Sequence, residues 1–179
     1  MEFVRTLPVH QRDVHDAPLG TNFNEFDVLI SDVNDSYLAC LAEELGVDVS
    51  KNTGGENGPT NITGTIFGAT HRVFFPLHVR LQQETMRPGG RQILFLFGTG
   101  APATYLRAEE WERWGISIPE NGQRKVIIGG IVVSASVSKD NFHNVNLLGQ
   151  NWCVQARAQV HIDYSEARPR VQFSVPGVS

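Results

Sequence analysis

The chain has 179 residues, with 15 Lys and Arg against 19 Asp and Glu, so its formal net charge is -4. This acidic balance argues against nucleic acid as a partner, because phosphate binding requires a basic surface. No stretch approaches the roughly 18 apolar residues of a membrane span, and no apolar signal segment opens the chain. We therefore expect a cytoplasmic protein without a membrane partner.

Turn-forming residues are abundant, with 17 Gly and 9 Pro, which favours a β-rich fold. Hydrophobic residues make up 41% of the chain, enough for a sizeable core. Cys40 and Cys153 are far apart in sequence, and we interpret them as reduced core thiols. The dispersed His residues have no zinc-ligand spacing, so the sequence implies neither a metal ion nor a cofactor.

The N-terminal part predicts a small α/β segment that ends in a linker. Candidate strands cover residues 2–6 and 26–30, and a helix is expected at about 36–45. That helix has cap residues before it, apolar residues at helical spacing and a glycine stop after it: Asn34, Asp35, Ser36, Leu38, Leu41, Ala42, Leu45 and Gly46. The residues at 47–62 are rich in Gly, Asn, Thr and Pro and predict a loop or linker. We divide the chain into an N-terminal α/β appendage, 1–65, and a second domain, 66–179.

The second domain predicts mainly strands. Residues 72–81 and 91–97 are expected to form a hairpin through a turn at 86–90, and Gly129-Gly130 predicts a second hairpin between 125–128 and 131–137. Short helices are expected at 109–115 and within 144–156, and closing strands at 159–163 and 170–175. Of the side chains on and near these helices, Trp111, Trp114 and Trp152 are expected in the core or at an interface rather than as platforms for a substrate, and Glu109 and Glu110 on a solvated face.

Two short segments point to a function. A buried apolar strand, Leu94–Phe97, runs directly into the tight turn Gly98-Thr99-Gly100-Ala101, and Leu147-Leu148-Gly149 later precedes a short helix and the closing strands. Together, in this order, the segments resemble the retropepsins, the aspartic proteases of retroviruses and retrotransposons, and most closely the transposon-type members. In that family two apolar residues precede Asp-Thr/Ser-Gly-Ala/Ser, and apolar-apolar-Gly follows. The resemblance covers about residues 72–175.

The resemblance implies a mainly β fold, a closed retropepsin-like barrel, that forms a homodimer with the Gly98–Ala101 turns of both copies at the two-fold axis. It implies an extended polypeptide as ligand, bound by strand addition. In the family each subunit contributes one Asp, and the two carboxylates share a proton because like charges so close cannot both ionise. Thr99 would brace the axis, Gly100 would be needed for the backbone conformation, and Leu147, Leu148 and Gly149 would form a structural turn.

The decisive departure from the family is Gly98, which stands where the family has its catalytic Asp, and residues 91–106 contain no acid. We therefore predict a catalytically inactive domain that acts as a homodimeric peptide-binding or interaction module. An active endopeptidase of retroviral or retrotransposon type, inactivated by an engineered Asp→Gly change, is the alternative. The resemblance also allows a location within a virus-like particle. The flap that closes over substrate also looks short, since only residues 117–125 are available before Val126.

Two rival interpretations stay open at this point. Gly98-Thr99-Gly100-Ala101-Pro102-Ala103 fits the G-x-G-x-x-G/A pattern of dinucleotide-binding domains, although Pro102 removes one N–H from a phosphate cradle. The second rival is a plain β-rich structural domain, in which Leu147-Leu148-Gly149 would serve core packing alone.

Overall fold

A computed structural model describes residues 33–48, 52–53, 61–67, 71–82, 90–117, 122–139, 142–165 and 170–175. The predicted strands at 2–6 and 26–30 lie outside these ranges, as does most of the predicted turn at 86–90. The helices in this part of the chain are α1 (Asp35–Glu44), α2 (Ala108–Arg113) and α3 (Gln150–Ala156). The strands are β1 (Asn52–Thr53), β2 (Asn61–Phe67), β3 (Arg72–Leu81), β4 (Gly90–Phe97), β5 (Thr104–Leu106), β6 (Gln123–Ile128), β7 (Ile131–Val137), β8 (Leu147–Leu148), β9 (Gln159–Asp163) and β10 (Arg170–Ser174).

All of these strands belong to one sheet in the order β1-β4-β8-β5-β7-β6-β3-β2-β10-β9. Because β3 also pairs with β4, the pairings β3-β4-β8-β5-β7-β6 return to β3 and form a ring. The strands β2, β10 and β9 extend this ring as an antiparallel arm. The predicted mainly β fold with a few short helices is confirmed.

Both predicted hairpins are present. β3 pairs antiparallel with β4 from Phe74↔Leu96 to Val79↔Arg91. β6 pairs antiparallel with β7, and its two-residue turn places Gly129 and Gly130 at φ 53° and 82°. Positive φ at both central residues matches the twist of the flanking strands, and glycine adopts it without steric cost.

The strand β4 separates two apolar clusters because its side chains alternate between the two faces of the sheet. Ile93 and Phe95 lie in the larger cluster, together with buried residues that include Trp111, Trp152 and Phe173. Leu94 and Leu96 lie in the second cluster, whose other side is formed by α1. The apolar character of β4 on both faces, visible in the sequence, therefore reflects burial on both sides.

The predicted helix at 36–45 is confirmed as α1. It begins after Asn34, whose Oδ1 accepts a hydrogen bond from Tyr37 N at 3.0 Å. Its buried residues Leu38, Leu41 and Ala42 pack against the second cluster, and the Tyr37 hydroxyl donates to Phe67 O at 2.9 Å. An ion pair of 2.8 Å between Asp35 and Arg107 adds a link to the residue before α2.

The region of the predicted linker and domain boundary contains regular structure. The range 47–62 includes the two residues of β1 and the first two residues of β2, whereas residues 49–51 and 54–60 lie outside the described part of the chain, so the loop or linker there stays a prediction. β2 completes the arm by pairing with β3 and β10. The proposed boundary at residue 65 falls within β2, and the division into two domains stays a prediction.

Two side-chain predictions are corrected. Glu110 is buried rather than solvated, and its carboxylate forms an ion pair of 3.3 Å with the buried Arg91 guanidinium. Cys40 is exposed on α1 and Cys153 is half-buried, so neither thiol is a fully buried core group. Trp111 and Trp152 are buried as predicted, and Trp114 is half-buried. None of the described helices has the length and apolar character that a membrane crossing requires.

Candidate functional site

The two motifs singled out in the sequence lie side by side. β4 and β8 pair in parallel, with Leu96 opposite Leu147 and Phe97 opposite Leu148. Leu96 N donates to Asn146 O at 2.8 Å, and Gly98 N donates to Leu148 O at 3.1 Å. Hydrogen bonding therefore continues from the strand pair into the first residue of the turn, which fixes where the turn leaves the sheet.

The Gly98–Ala101 turn has an exposed apex and a buried base. Ala101 N donates to Gly98 O at 3.1 Å and closes the turn. Thr99 and Gly100 are exposed, whereas Ala101 is buried. Gln150 holds the turn from the side of α3, because its backbone N–H donates to Ala101 O at 2.8 Å and its Nε2 donates to Thr99 O at 3.1 Å. The apex is thus accessible while its backbone is fixed.

Gly149 lets α3 approach the turn closely. A Cβ at this position would lie 2.0 Å from Ala103 O and 3.0 Å from Ala101 O, which are backbone atoms that cannot move aside. The absence of a side chain is what brings the start of α3 against residues 101–103. Leu147 and Leu148 lie in the strand β8 and Gly149 directly precedes α3, so the predicted structural turn is reduced to the strand-to-helix junction at Gly149.

A small polar network, which the sequence reasoning did not identify, supports the same junction. Gly149 N donates to the Thr104 hydroxyl at 3.1 Å, and that hydroxyl donates to Asn151 Oδ1 at 2.7 Å. Asn151 Nδ2 in turn donates to Ser134 O on β7 at 2.9 Å. One feature of the sequence could have indicated this network: Thr104 and Asn151 are polar residues that closely follow the two recognised motifs.

Asn146 braces the other end of β8. Its Oδ1 accepts from Arg107 N at 2.9 Å, and its Nδ2 donates to Leu94 O at 3.3 Å. The buried amide therefore joins β4, β8 and the start of α2. Sequence reasoning also missed this residue, because an isolated Asn before an apolar pair carries no distinctive pattern.

The two glycines of the turn differ from expectation. Gly100 has no positive φ, and nothing lies within 4 Å of the position where a Cβ would be. The expectation that Gly100 is required for the backbone conformation is therefore wrong. Gly98 also has no positive φ, but a Cβ there would lie 2.9 Å from Leu147 Cδ1 and 3.3 Å from Ala101 Cβ. A Cβ at 98 thus requires a movement of the Leu147 methyl group and a shift of a few tenths of an ångström against Ala101 Cβ.

No carboxylate is available in the turn or in the segment that supports it. Neither 91–106 nor 144–153 contains Asp or Glu. On the neighbouring α2, Glu109 contacts Arg107 at 3.2 Å, and Glu110 contacts Arg91 at 3.3 Å and Arg113 at 3.7 Å. These acids serve ion pairs rather than the turn.

The same ion pairs set the charge state of two arginines. Burial lowers the pKa of Arg91, and the nearby Glu110 opposes that shift. Burial also acts to lower the pKa of Arg107, but the hydrogen bonds and charges of Glu109 and Asp35 outweigh it and raise the pKa. Both guanidinium groups therefore remain cations paired with carboxylates, and these ion pairs hold neighbouring elements together.

The nucleotide-binding interpretation is contradicted by the local fold. In a dinucleotide-binding turn the glycines open directly into a helix whose N-terminus faces the phosphates. Here the Gly98–Ala103 segment leads into the strand β5, and α2 begins only after that strand ends. The described ranges bring together no three His, Cys, Asp or Glu side chains suited to a metal ion.

Comparison with protein-family models and with curated proteins gave no match. Among solved structures, the chain is similar to a retropepsin-like aspartic protease from Rickettsia conorii. The two share 14% sequence identity and a TM-score of 0.42, and the alignment covers 68% of this chain and 96% of that one.

Proposed function

We propose that the chain carries a retropepsin-like aspartic protease domain that lacks catalytic activity and acts as a homodimeric module for binding extended polypeptide. The observation that carries this proposal is Gly98 itself. By the sequence resemblance it stands where the family has its Asp, and it is the first residue of a turn that hydrogen bonds to Leu148 and Gln150 hold in place. These hydrogen bonds support the proposal of a fixed turn without a catalytic side chain.

The chemistry of aspartic proteases explains why this single position decides activity. One carboxylate removes a proton from the attacking water, and the other donates a proton to the peptide carbonyl. A glycine has no side chain to do either. The Thr99 hydroxyl and the backbone N–H groups can donate hydrogen bonds to a peptide, but none of them is a base of suitable strength.

The geometry of the turn supports pairing of two copies. Thr99 and Gly100 are exposed at its apex, and the base of the turn is rigidly tied to β8 and α3. A fixed, accessible turn can meet the same turn of a second copy across a two-fold axis, which makes a self-complementary contact. A groove between the copies would then accept an extended chain.

A peptidase assay tests the inactivity. Purified protein is incubated with a mixed peptide library at acidic and neutral pH, and no new termini are expected by mass spectrometry. Cleavage by the unmodified chain that is lost in Thr99→Ala would overturn the proposal. The variant Gly98→Asp separates the two origins of Gly98: full restoration of cleavage favours an engineered inactive protease, and persistent inactivity of a folded dimer favours a natural non-catalytic domain.

Sedimentation velocity tests the dimer, and Thr99→Cys tests its axis. A short bismaleimide is expected to join the thiols introduced at position 99 of the two copies, in a Cys40→Ser background that removes the exposed native thiol. Lys139→Cys is the control, since Lys139 is also exposed. A dimer in which the Thr99→Cys and Lys139→Cys variants cross-link equally slowly would place the axis elsewhere.

A further inference from the structure

The helix α1 packs on the side of the turn toward which a side chain at position 98 would point. A Cβ at that position would lie 2.9 Å from Leu147 Cδ1 and 3.3 Å from Ala101 Cβ. Leu147 and Ala101 are 1% and 2% exposed, and both belong to the second apolar cluster, whose other side is formed by α1. A side chain at position 98 would therefore point into the cluster that α1 shares with the sheet.

The sheet contributes a row of side chains on one face to this cluster. Each member of the row is the cross-strand partner of the next: Phe74, Leu96, Leu147 and Tyr105. Cross-strand partners share a face of a sheet, so the row runs from β3 through β4 and β8 to β5 and passes beside the turn. The helix contributes three buried apolar residues at helical spacing: Leu38, Leu41 and Ala42. The Tyr37 ring of α1 lies 5.8 Å from the Phe74 ring at one end of the row. An amphipathic helix of the same chain thus covers the face beside the turn.

The same face is where the proposed function places an extended polypeptide. A carboxylate at position 98 could exchange protons with water or a peptide carbonyl only within hydrogen-bond distance, so its direction marks the side on which the polypeptide lies. That side is the one covered by α1. Thr99 and Gly100 at the apex of the turn are exposed, so α1 leaves the proposed dimer contact open. The helix and an extended polypeptide therefore compete for one surface, and the dimer does not require the helix to leave.

The contact between α1 and the sheet is incompletely packed. A cavity of about 170 Å³ remains between the two, lined by Leu38 and Ala42 of the helix and by Leu94 of β4. Protein interiors leave few voids larger than a water molecule. The ion pair that links Asp35 of α1 to Arg107 has a carboxylate that is 77% exposed, and an exposed pair adds little stability. A helix of 10 residues is also marginal in water by itself. These features are typical of an element that can be released.

We propose that α1 is a displaceable cover of the polypeptide-binding face. When docked it excludes an extended polypeptide, and its release exposes Leu96, Leu147 and Ala101 as the apolar floor of the site. Residues 45–51 separate α1 from β1, so release of the helix does not require β1 to leave β4. Only the fraction of molecules with α1 released can then bind, and the apparent affinity is reduced by that fraction. This inference rests on the proposed function.

Weakening the docked state tests the cover. Leu41 is fully buried but belongs to α1, so Leu41→Asp disfavours docking without changing the sheet face. The probe is fluorescein-labelled, reduced and carboxymethylated α-lactalbumin, a permanently unfolded polypeptide, and its affinity is measured by fluorescence anisotropy. Leu41→Asp is expected to bind it about tenfold more tightly or better than the unmodified chain. Cys40→Asp is the matched control, because it places the same charge at an exposed position of the same helix, and it should leave the affinity unchanged. Equal affinities of Leu41→Asp and Cys40→Asp overturn the proposal.

Tryptophan fluorescence shows whether the rest of the fold survives. Trp111 and Trp152 lie in the larger cluster on the other face of β4 and report on the barrel rather than on α1. Their emission is expected to be the same in Leu41→Asp and in the unmodified chain. If Leu41→Asp exposes these tryptophans, α1 is an integral part of the folded core, and the proposal of a displaceable cover is overturned.

Locking the helix in place is the reverse test. The side chains of Asp35 and Arg107 are in contact at 2.8 Å, so a short bismaleimide can join the thiols of Asp35→Cys with Arg107→Cys in a Cys40→Ser background. Before cross-linking this variant should bind the unfolded polypeptide at least as tightly as the unmodified chain, because the ion pair is lost. After cross-linking it should lose detectable binding. Binding that is undiminished after complete cross-linking overturns the cover.

A second probe separates this inference from the proposed function. It is a synthetic peptide of residues 33–47, which carries the apolar face of α1, and it is expected to bind Leu41→Asp but not the cross-linked chain. If this peptide binds in that way while the unfolded polypeptide binds neither, α1 is displaceable as proposed, and it is the proposed polypeptide binding that fails. Equal binding of the unfolded polypeptide to the unmodified, Leu41→Asp and cross-linked chains overturns the cover and leaves the proposed function standing. If neither probe binds Leu41→Asp, the cover is overturned as well.

Discussion

The Thr104 hydroxyl donates a 2.7 Å hydrogen bond to Asn151 Oδ1 and so joins the strand after the turn to the helix after Gly149. The two residues are far apart in sequence, but Thr104 lies in β5 and Asn151 in α3, and β5 pairs with β8, the strand that precedes α3. Thr104 is fully buried, so its hydroxyl would have no water to replace a lost partner. This bond is the polar centre of the junction that holds the turn.

Thr104→Val is expected to destabilise the fold by about 1–3 kcal/mol while changing little volume, because it leaves the buried Gly149 N without its acceptor. It also removes one of the two donors to Asn151 Oδ1, which keeps the hydrogen bond from Trp152 N. The free energy of unfolding is measured by urea denaturation. Thr63→Val on β2 is the control, since Thr63 is exposed and valine is favoured in strands. Equal effects of the two substitutions would show that the network contributes no stability of its own.

Gly149 and Gly100 offer a matched pair of glycine substitutions. Gly149→Ala is expected to cost more than about 3 kcal/mol or to prevent folding, because the new Cβ would meet the backbone of Ala103. Gly100→Ala is expected to change stability by less than about 0.5 kcal/mol, since its surroundings are open and its φ is not positive. The comparison is made by thermal and urea unfolding. A large loss at Gly100 would mean that the turn is strained there.

Local pattern was sufficient to predict most of the fold. Alternating apolar residues placed β3, a continuous apolar run placed β4, Gly129-Gly130 placed the turn of the β6–β7 hairpin, and the cap at Asn34 placed α1. Each of these signals acts between residues close in sequence. The parallel pairing of β4 with β8, which brings Gly98 N to Leu148 O, has no local signal in the sequence and was not predicted.

The missed features depend on contacts between distant residues. The sequence pattern of α2 predicts that Glu110 lies on the surface. The residue is buried because it pairs with Arg91 on β4, and the pattern of α2 gives no sign of that neighbour. The motif predicts that the backbone at position 100 requires a glycine, but Gly100 has no positive φ and its backbone does not require one. The role of Asn146 likewise follows from the position of Arg107 after folding.

The buried pair of Arg91 and Glu110 gives a third prediction. Glu110→Gln is expected to destabilise the fold by about 3 kcal/mol, because it removes the carboxylate from a buried cation. Replacing both residues, as Arg91→Met with Glu110→Leu, is expected to return stability to within about 1 kcal/mol of the starting protein or above it. Glu109→Gln is the control, since the pair of the exposed Glu109 with Arg107 should contribute less than about 1 kcal/mol. A harmless Glu110→Gln would contradict this account.

Gly98→Asp is expected to fold, because the added Cβ displaces a methyl group at the end of the flexible Leu147 side chain and otherwise meets Ala101 Cβ at 3.3 Å, which a small shift relieves. If the turns of two copies meet at the axis, the substitution brings two carboxylates together, and the pKa of one of them rises on association because both cannot ionise at short distance. The dimer then binds more protons than two monomers, so association strengthens as the pH falls through the raised pKa and weakens above it.

The expected effect is a dimer about tenfold tighter near pH 4 than near pH 7, equivalent to roughly one unit of pKa shift. Sedimentation equilibrium of Gly98→Asp across this range measures it, with Gly98→Asn as the uncharged control of equal size. The Asn variant should show no such dependence beyond that of the unmodified chain. Identical pH profiles for Asp and Asn would place position 98 away from the axis and separate the dimer contact from the turn.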